Sequence, residues 1–315
     1  MVLVTGASGF VGSALLRRLT AEGRAAKGGY RNGQTSSLPS VQAVNMGDLG
    51  ASMDCRKALK SVSVVVHAAA RVHVMRDMAA DSLSEFRRVN VDGTLSLARQ
   101  AAEAGVRRFV FLSSIKVNGE ATQAGHAFSA DDLPAPEDPY GISKYEAEQG
   151  LRQLADQTGI EVVIVRLPLV YGPGVKANFE RMMRWVARGV PLPLGAISNN
   201  RRSLLALDNL VDLLCICLRH PAAAGRTLMA ADGEDLSTAD LLRRLAQALG
   251  VRARLFNVPP GLLDWGALML GKQAVAQRLL GNLQVDIRAT RELLGWQPPL
   301  TVDQGLQRTV QGKFR

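Results

Sequence analysis

The stretch VTGASGFVG, residues 4–12, decides the fold that this sequence predicts. It places Gly6, Gly9 and Gly12 between a short apolar segment and a stretch with helical periodicity. In a strand–turn–helix unit, the first glycine permits a tight turn, the second lets the backbone approach a pyrophosphate, and the third lets helix and strand pack closely. The free N–H groups and the positive dipole end of the helix then attract the phosphates. The stretch therefore predicts a dinucleotide-binding unit at the start of the chain.

Apolar strands and amphipathic helices alternate through the first half of the chain. Strands are predicted at 2–6, 63–70, 108–114 and 161–167, and helices at 10–23, 85–104 and 143–157. This alternation predicts a parallel sheet covered by helices on both faces. Right-handed crossovers then give a doubly wound α/β fold with a parallel Rossmann sheet.

After Gly172 the regular alternation gives way to loop-rich segments and short helices. We therefore expect a dinucleotide-binding domain over residues 1–171 and a smaller, mixed α/β substrate-binding domain over residues 172–315. The chain is expected to return to the first domain near 206–220. Because no Pro-, Gly- or Ser-rich linker separates the halves, they should pack together and share a cleft.

The composition is that of an ordinary globular protein, with 315 residues, 47% hydrophobic and 21% charged. We see neither an apolar run long enough to span a membrane nor a signal peptide, and expect a cytoplasmic protein without an integral membrane segment. The net charge of +10 suits an anionic partner. Its basic pairs are scattered without interleaved aromatics, which argues against nucleic-acid binding. The odd cysteine count predicts reduced thiols, and the scattered histidines predict no metal site.

Three further motifs accompany the glycine turn: HAAA at 67–70, YGISK at 140–144 and RLPLVYGPG at 166–174. Together with the spacing of the glycines, they resemble the extended short-chain dehydrogenase/reductase family. More narrowly, the set resembles its NAD-dependent nucleotide-sugar epimerase/dehydratase branch, and RELLGWQP at 291–298 is similar to a common feature of that branch. The resemblance covers essentially the whole chain. It implies an oxidoreductase and a homodimer formed through two long helices, here 85–104 and 143–157.

Tyr140 and Lys144 are four residues apart on a predicted helix, so their side chains lie on one face. A free tyrosine has a pKa of about 10, and a nearby ammonium favours the phenolate. We expect Lys144, a hydrogen bond and a positively charged nicotinamide to lower the pKa of Tyr140 by about three units, or roughly 4 kcal/mol. The resemblance implies that Ser114, at the end of a parallel strand, is the third catalytic residue and bonds the reacting oxygen.

The same resemblance implies which residues contact the cofactor. Asp48 and Leu49 should lie at the adenine, and small residues after the third strand should line the nicotinamide channel. Besides Tyr140 and Lys144, the expected contacts are Gly6, Gly9, Phe10, Val11, Gly12, Arg31, Asp48, Leu49, Ala68, Ala69 and Ala70. Asn90 should tie a helix to the sheet near the site.

The type of cofactor depends on the end of the second strand, where an NAD-binding unit commonly places an acid for the adenine ribose. The corresponding stretch is KGGYR, residues 27–31, in which Tyr30 matches the acid and Arg31 follows. An acid repels a 2′-phosphate whereas an arginine attracts it, so the sequence favours NADP(H) and leaves NAD(H) open. Gly28 and Gly29 weaken this strand, and close approach by the adenine is one explanation.

On the substrate side, the resemblance implies that Asn178 and Arg202 bind the diphosphate of a nucleotide sugar, most simply a UDP-linked one. A guanidinium suits a diphosphate because its fork donates two parallel hydrogen bonds. Lys116 departs from the family pattern. Its side chain either contacts the substrate or lies at the surface.

The expected reaction follows from the expected cofactor. A reductase consumes NADPH, whereas an epimerase reuses retained NAD, so Arg31 favours 4-keto reduction of a UDP-4-keto-6-deoxy-hexosamine for surface polysaccharide synthesis. The alternative is a UDP-hexose or UDP-N-acetylhexosamine 4-epimerase with retained NAD. Two further alternatives are a reductase of steroid-like or flavonoid-like alcohols, against which Asn178 and Arg202 argue, and a non-catalytic NADP sensor. The intact pair of Tyr140 and Lys144 argues against the sensor.

Overall fold

A computed structural model describes residues 1–31, 36, 38–72 and 82–312 of the chain. Within these residues the strands are β1 Val2–Thr5, β2 Ala26–Tyr30, β3 Val41–Asn45, β4 Val64–His67, β5 Arg108–Leu112, β6 Glu161–Arg166, β7 Leu169–Tyr171, β8 Arg202–Ala206, β9 Thr227–Met229 and β10 Asp235–Leu236. The α-helices are α1 Phe10–Ala21, α2 Arg56–Leu59, α3 Ser82–Phe86, α4 Gly93–Glu103, α5 Pro139–Thr158, α6 Ala177–Ala187, α7 Leu207–Cys217, α8 Thr238–Ala248, α9 Pro260–Met269, α10 Gln273–Leu280, α11 Arg288–Leu294 and α12 Val302–Gln311. A π-helix covers Arg87–Asp92, and short 3₁₀ turns cover Ile115–Val117 and Pro221–Ala223.

Seven strands form one sheet in the order β3-β2-β1-β4-β5-β6-β9, and every neighbouring pair is parallel. The predicted doubly wound α/β fold is therefore confirmed. In a parallel sheet all strands present their carboxyl ends at one edge, where ligands bind. The glycine turn after β1, the alanines after β4 and Ser114 after β5 all lie at this edge.

Alternate residues of the central strands face two different helical layers. Val2 and Val4 pack in a cluster with α1 and α7, whereas Leu3 packs in a second cluster with α2, α4 and α5. The strands are apolar on both faces because both faces are covered, which is the reason for their continuous apolar sequence.

A second, smaller sheet has the order β10-β8-β7, with β7 and β8 parallel and β10 antiparallel to β8. Its apolar side packs with α6, α8 and α12 in a third cluster, giving the predicted mixed α/β part of the fold. The chain then returns to the large sheet, since α7 packs on α1 and β9 pairs with β6. The domain boundary at 171 stays a prediction.

The helix predicted over 85–104 is interrupted, because α3 passes into the π-helix before α4 begins. Asn90, at 1% exposure, lies in this wider turn and bonds the backbone of Arg71 after β4 and the hydroxyl of Ser143 on α5. The π-helical turn therefore contains the side chain that joins this helix to the segment after β4 and to α5.

The three cysteines are buried and free, as predicted. Among the described residues, no helix combines the length and the apolar character needed to cross a membrane.

Candidate active site

The three glycines of the first turn are in close contact with their surroundings. Gly6 has a φ of +64°, and a Cβ there would lie 2.9 Å from the Cα of Ala69. A Cβ on Gly12 would overlap the carbonyl oxygen of Gly6, and the amide of Gly9 donates to that oxygen at 2.8 Å. The glycine turn therefore fits against the end of β4 only because side chains are missing.

The amino end of α1 has the properties of a phosphate site. Gly9 is its N-cap without a side-chain hydrogen bond, and the first turn has no acidic residue. The amides of Phe10, Val11 and Gly12 have no intrahelical partners in such a position. This end of the helix therefore has the donors and the positive dipole end that the pyrophosphate of a dinucleotide requires.

The expected adenine and nicotinamide residues border the same edge of the sheet. Asp48 and Arg31 are both exposed, with 3.9 Å between a carboxylate oxygen and a guanidinium nitrogen. Leu49 is half-buried, and a Cβ added at Gly93 would lie 3.0 Å from its Cβ. The three alanines of the predicted channel, residues 68–70, are all half-buried.

The structure explains the pair Gly28 and Gly29. A Cβ on Gly28 would lie 2.6 Å from the ring of Tyr30, and a Cβ on Gly29 would lie 2.9 Å from Met46 Cγ. Tyr30 is buried in the core cluster that contains α1. The glycines thus make room for neighbouring side chains, and Arg31 is the first exposed side chain after β2.

The predicted catalytic residues converge from β5 and α5. Ser114 follows β5, is buried, and accepts a hydrogen bond from the backbone amide of Lys116 at 3.2 Å. Tyr140 lies in the first turn of α5, close enough to Ser114 for the serine side chain to lower the pKa of the phenol. Lys144, one turn further, donates to the carbonyl oxygen of Leu112 at 2.7 Å. Its ammonium lies 6.0 Å from the centre of the Tyr140 ring.

The pKa of Tyr140 differs from the expectation. Burial of the hydroxyl and the charge of Asp138 raise this pKa to about 12, although the side chain of Ser114 opposes the shift. This describes the chain without cofactor, and the lowered pKa expected with a bound nicotinamide stays a prediction. Lys144 is not among the causes of this shift, because with a pKa of about 7 it is neutral at the pH at which Tyr140 ionises.

Lys144 is itself perturbed by its environment. It is 2% exposed, and burial lowers its pKa to about 7 against the opposing charge of Glu148. Nearby, burial and the charge of Lys144 lower the pKa of His67 to about 3. His67 bridges Thr5 at 2.7 Å and Thr94 at 3.0 Å through its two ring nitrogens. The neutral imidazole thus ties β1 and α4 to the end of β4.

Lys116 lies beside the catalytic residues. Its ammonium bonds Glu120 at 2.6 Å and Asp138 at 2.5 Å, and its side chain is about a quarter exposed. Asp138 caps α5 by accepting from the amide of Gly141. Lys116 therefore holds the capping residue at the start of the helix that carries Tyr140.

The two expected substrate residues lie on the smaller sheet and its helices. Asn178 is exposed in the first turn of α6. Arg202 begins β8, is half-buried, and donates from Nη1 to the carbonyl oxygen of Gly281 at 3.2 Å. Burial and the nearby charge of Arg278 lower its pKa, while Glu120 opposes this. The charges of Arg278 and of Glu120, a partner of Lys116, thus both act on Arg202.

The sequence analysis missed a buried polar network beneath the site. Glu148 is fully buried and accepts from Ser113 at 2.6 Å and from Arg166 at 2.7 and 3.0 Å. Arg166 also donates to Asn118 at 3.0 Å. Since Glu148 is four residues after Lys144, its place on the same face of the helix was the available signal.

Comparisons with known proteins show the family of the chain. A model of the NAD dependent epimerase/dehydratase family matches residues 2–230. The UDP-glucose 4-epimerase of Vibrio cholerae is 47% identical over 98% of this chain and 94% of its own length. The N-acetyl-alpha-D-glucosaminyl-diphospho-ditrans,octacis-undecaprenol 4-epimerase of Escherichia coli O157:H7 is 27% identical over 99% of this chain and 95% of its own. Among solved structures, MoeE5 in complex with UDP-glucuronic acid and NAD matches with a TM-score of 0.79 and 27% identity, over 100% of this chain and 99% of that chain.

Proposed function

Because the chain belongs to the NAD dependent epimerase/dehydratase family and is an enzyme of that family, as its motifs predicted, we propose that it transfers hydride at carbon 4 of a UDP-linked sugar in the cytoplasm. The convergence of Ser114, Tyr140 and Lys144 at the carboxyl edge of the sheet supports the proposal. The relative from Vibrio cholerae is named for UDP-glucose, and MoeE5 was solved with UDP-glucuronic acid. Arg202 and Arg278 supply the positive charge that a diphosphate needs.

The residues of this chain handle the proton of the reaction. A bound nicotinamide dinucleotide supplies the hydride for the carbonyl carbon. Tyr140 donates its phenolic proton to the oxygen of the same carbonyl, and Ser114 hydrogen-bonds to that oxygen. The Tyr140 phenol is neutral at pH 7 because its pKa is about 12. It therefore begins as the acid that a reduction requires.

The direction that we propose is net reduction of a UDP-4-keto-6-deoxy-hexosamine with NADPH, a step in surface polysaccharide synthesis. The observation that carries it is Arg31, the exposed cation directly after β2. A guanidinium at this position attracts the 2′-phosphate of NADPH. Asp48 is 3.9 Å away, but both side chains are mostly exposed, so this weak ion pair leaves Arg31 available to that phosphate.

The test compares two arginines. Arg31→Ser should weaken NADPH binding at least about tenfold and leave NADH binding nearly unchanged, because hydrogen bonds to a charged group contribute about 1.5–3 kcal/mol. Arg56→Ser is the matched control, since Arg56 is also exposed and also paired with an aspartate, Asp54. Titration of the purified, cofactor-stripped protein gives both affinities. Equal losses for the two cofactors in Arg31→Ser would contradict the role of Arg31.

A second candidate, 4-epimerisation with retained NAD, is favoured by the 47% identity to a protein named UDP-glucose 4-epimerase. The purified protein should first be denatured and assayed for released dinucleotide. It should then be incubated with a UDP-4-keto-6-deoxy-hexosamine plus NADPH, and separately with UDP-hexoses and UDP-N-acetylhexosamines alone. Consumption of NADPH with a reduced sugar product supports the reductase. Stoichiometric NAD with interconversion of C4 epimers establishes the epimerase instead.

A further inference from the structure

The hairpin formed by α9 and α10 has an unusually apolar exterior. Among the described residues, six of the fourteen large hydrophobic side chains that are exposed belong to it: Leu262, Trp265, Leu268, Met269, Leu270 and Val275. None of the ten residues of α9 is buried. Clusters of this kind on a surface usually mark a site of interaction.

The apolar side chains of α9 share its outward face. Leu262, Trp265 and Met269 recur with the spacing of one helical face, at 59–67% exposure, and Leu268 extends this face at 53%. The opposite side of α9 is half-buried and packs on α10. This is the reverse of an ordinary surface helix, whose apolar stripe points into the protein. The outward face is therefore built to be covered by something else.

The charges around the hairpin show what kind of surface would cover it. Besides Arg278, which acts on Arg202, residues 251–281 contain three basic side chains, Arg252, Arg254 and Lys272, and only the carboxylate of Asp264. Among the described residues, no ion pair involves Arg252, Lys272 or Asp264. The whole chain also carries a net charge of +10. Basic side chains next to exposed Trp, Leu and Met complement an anionic, partly apolar layer.

We propose that the α9–α10 hairpin docks on the surface of an anionic lipid bilayer, with α9 lying in the plane of the interface. Trp265 suits this position because tryptophan favours the boundary between headgroups and acyl chains. The ten residues of α9 extend about 15 Å, roughly half of a hydrocarbon core, so the helix lies on the bilayer and does not cross it.

Hydrogen bonds attach the hairpin to β8 and to the start of α8, so docking orients the whole molecule. The carbonyl oxygen of Leu279, in α10, accepts from Asn200 at 3.1 Å and from Thr238 at 2.6 Å. Two residues further along the chain, the carbonyl oxygen of Gly281 accepts from Arg202. Docking of the hairpin therefore holds Arg202 near the bilayer surface.

The test is flotation of the full chain with lipid vesicles. The protein should float with vesicles of equal parts phosphatidylglycerol and phosphatidylcholine, bind at least tenfold less to phosphatidylcholine alone, and be released by high salt. In a Trp185→Phe background, Trp265 is the one exposed tryptophan, since Trp296 is 1% exposed. Its fluorescence should shift to shorter wavelength when anionic vesicles are added.

Two variants with the same change of charge decide the site. Leu268→Glu should abolish flotation, whereas Leu133→Glu, at a side chain 89% exposed outside the hairpin, should not change it. Both should keep their activity toward a water-soluble UDP-sugar, so this result is independent of the proposed function. Unchanged flotation of Leu268→Glu would overturn the proposal. So would a wild-type oligomer that ignores vesicles and dissociates on Leu268→Glu, because a second copy would then cover the face.

Discussion

At the scale of single residues, burial moves the pKa values of Tyr140 and Lys144 toward their neutral forms. Tyr140 is raised to about 12 and Lys144 is lowered to about 7, in each case chiefly because burial disfavours the charged form. The sequence placed both residues on one helix, but it could not give the depth of either group. Holding a lysine in this buried state has a cost in stability.

Replacing Lys144 tests this cost. In the unfolded chain Lys144 has a pKa near 10.5, and in the folded chain its pKa is about 7. The unfolded state therefore binds more protons between these values, and the contribution of Lys144 to stability decreases as the pH falls from 10.5 to 7. Since each unit is about 1.4 kcal/mol, Lys144→Met should raise the free energy of unfolding of the cofactor-free protein at pH 7 by roughly 2–4 kcal/mol, after loss of the bond to Leu112.

The measurement is denaturant unfolding of both proteins across pH 7 to 10, where the difference between them should shrink as the pH rises. Activity should be lost in Lys144→Met. Lys57→Met, at an exposed position on α2, is the control and should change neither quantity appreciably. A Lys144→Met protein that is less stable than the wild type at every pH would show that burial of Lys144 carries no such cost.

At the scale of elements, α5 is fixed to the sheet one helical turn after Lys144. Glu148 joins this helix to Ser113 after β5 and to Arg166 on β6, with both ends of the ion pair almost completely buried. Arg152 also contacts Glu148, at 3.2 Å, but is 45% exposed. The buried pair sets the height of α5 on the sheet, and thus the position of Lys144 one turn earlier.

Breaking this pair should be far more damaging than removing its exposed neighbour. Glu148→Gln leaves Arg166 charged and buried, and should lower the free energy of unfolding by about 3–5 kcal/mol. Arg152→Ala should cost less than about 1 kcal/mol, because its pair with Glu148 is partly in solvent. Thermal and denaturant unfolding of both variants provide the comparison. Equal losses would mean that burial of the pair does not matter.

Periodicity predicted the elements of the large sheet but not their irregularities. The stretch 85–104 was predicted as one helix because its apolar spacing continues through the π-helix at Arg87–Asp92. The wider turn there is associated with the contacts of Asn90 to residues distant in sequence, which no local pattern encodes. The outward face of α9 was missed for a related reason. An apolar helical pattern states which residues share a face, but not whether that face is covered.

At the scale of the whole molecule, the candidate site joins both sheets. Ser114 and Tyr140 come from the large sheet and its helix, whereas Arg202 begins a strand of the small sheet and Arg278 comes from the α9–α10 hairpin. The resemblance pointed to Arg202 but gave no reason to select Arg278, since only the fold brings the two together. The homodimer expected through 85–104 and 143–157 stays a prediction.

The two arginines lead to a prediction about ligand binding and global stability. Burial and the repulsion from Arg278 disfavour the charged form of Arg202, and the negative charge of a bound diphosphate would offset both effects. UDP at about 100 times its Kd should therefore stabilise the protein by about 2.7 kcal/mol. Arg202→Met should lose most of this stabilisation by UDP while keeping the stabilisation by the dinucleotide, which we expect to bind at the glycine turn.

Arg201, which directly precedes Arg202 in the sequence, provides the matched control. It is exposed, and its Nη1 donates to the carbonyl oxygens of Ser198 and Asn200. Arg201→Met therefore removes an equal charge and keeps the half-buried guanidinium of Arg202. Thermal unfolding with and without UDP, and with and without dinucleotide, separates the two ligands. Arg201→Met should respond to UDP as the wild type does. If Arg202→Met also does so, the half-buried guanidinium is a structural bond to Gly281 and the diphosphate binds elsewhere in the cleft.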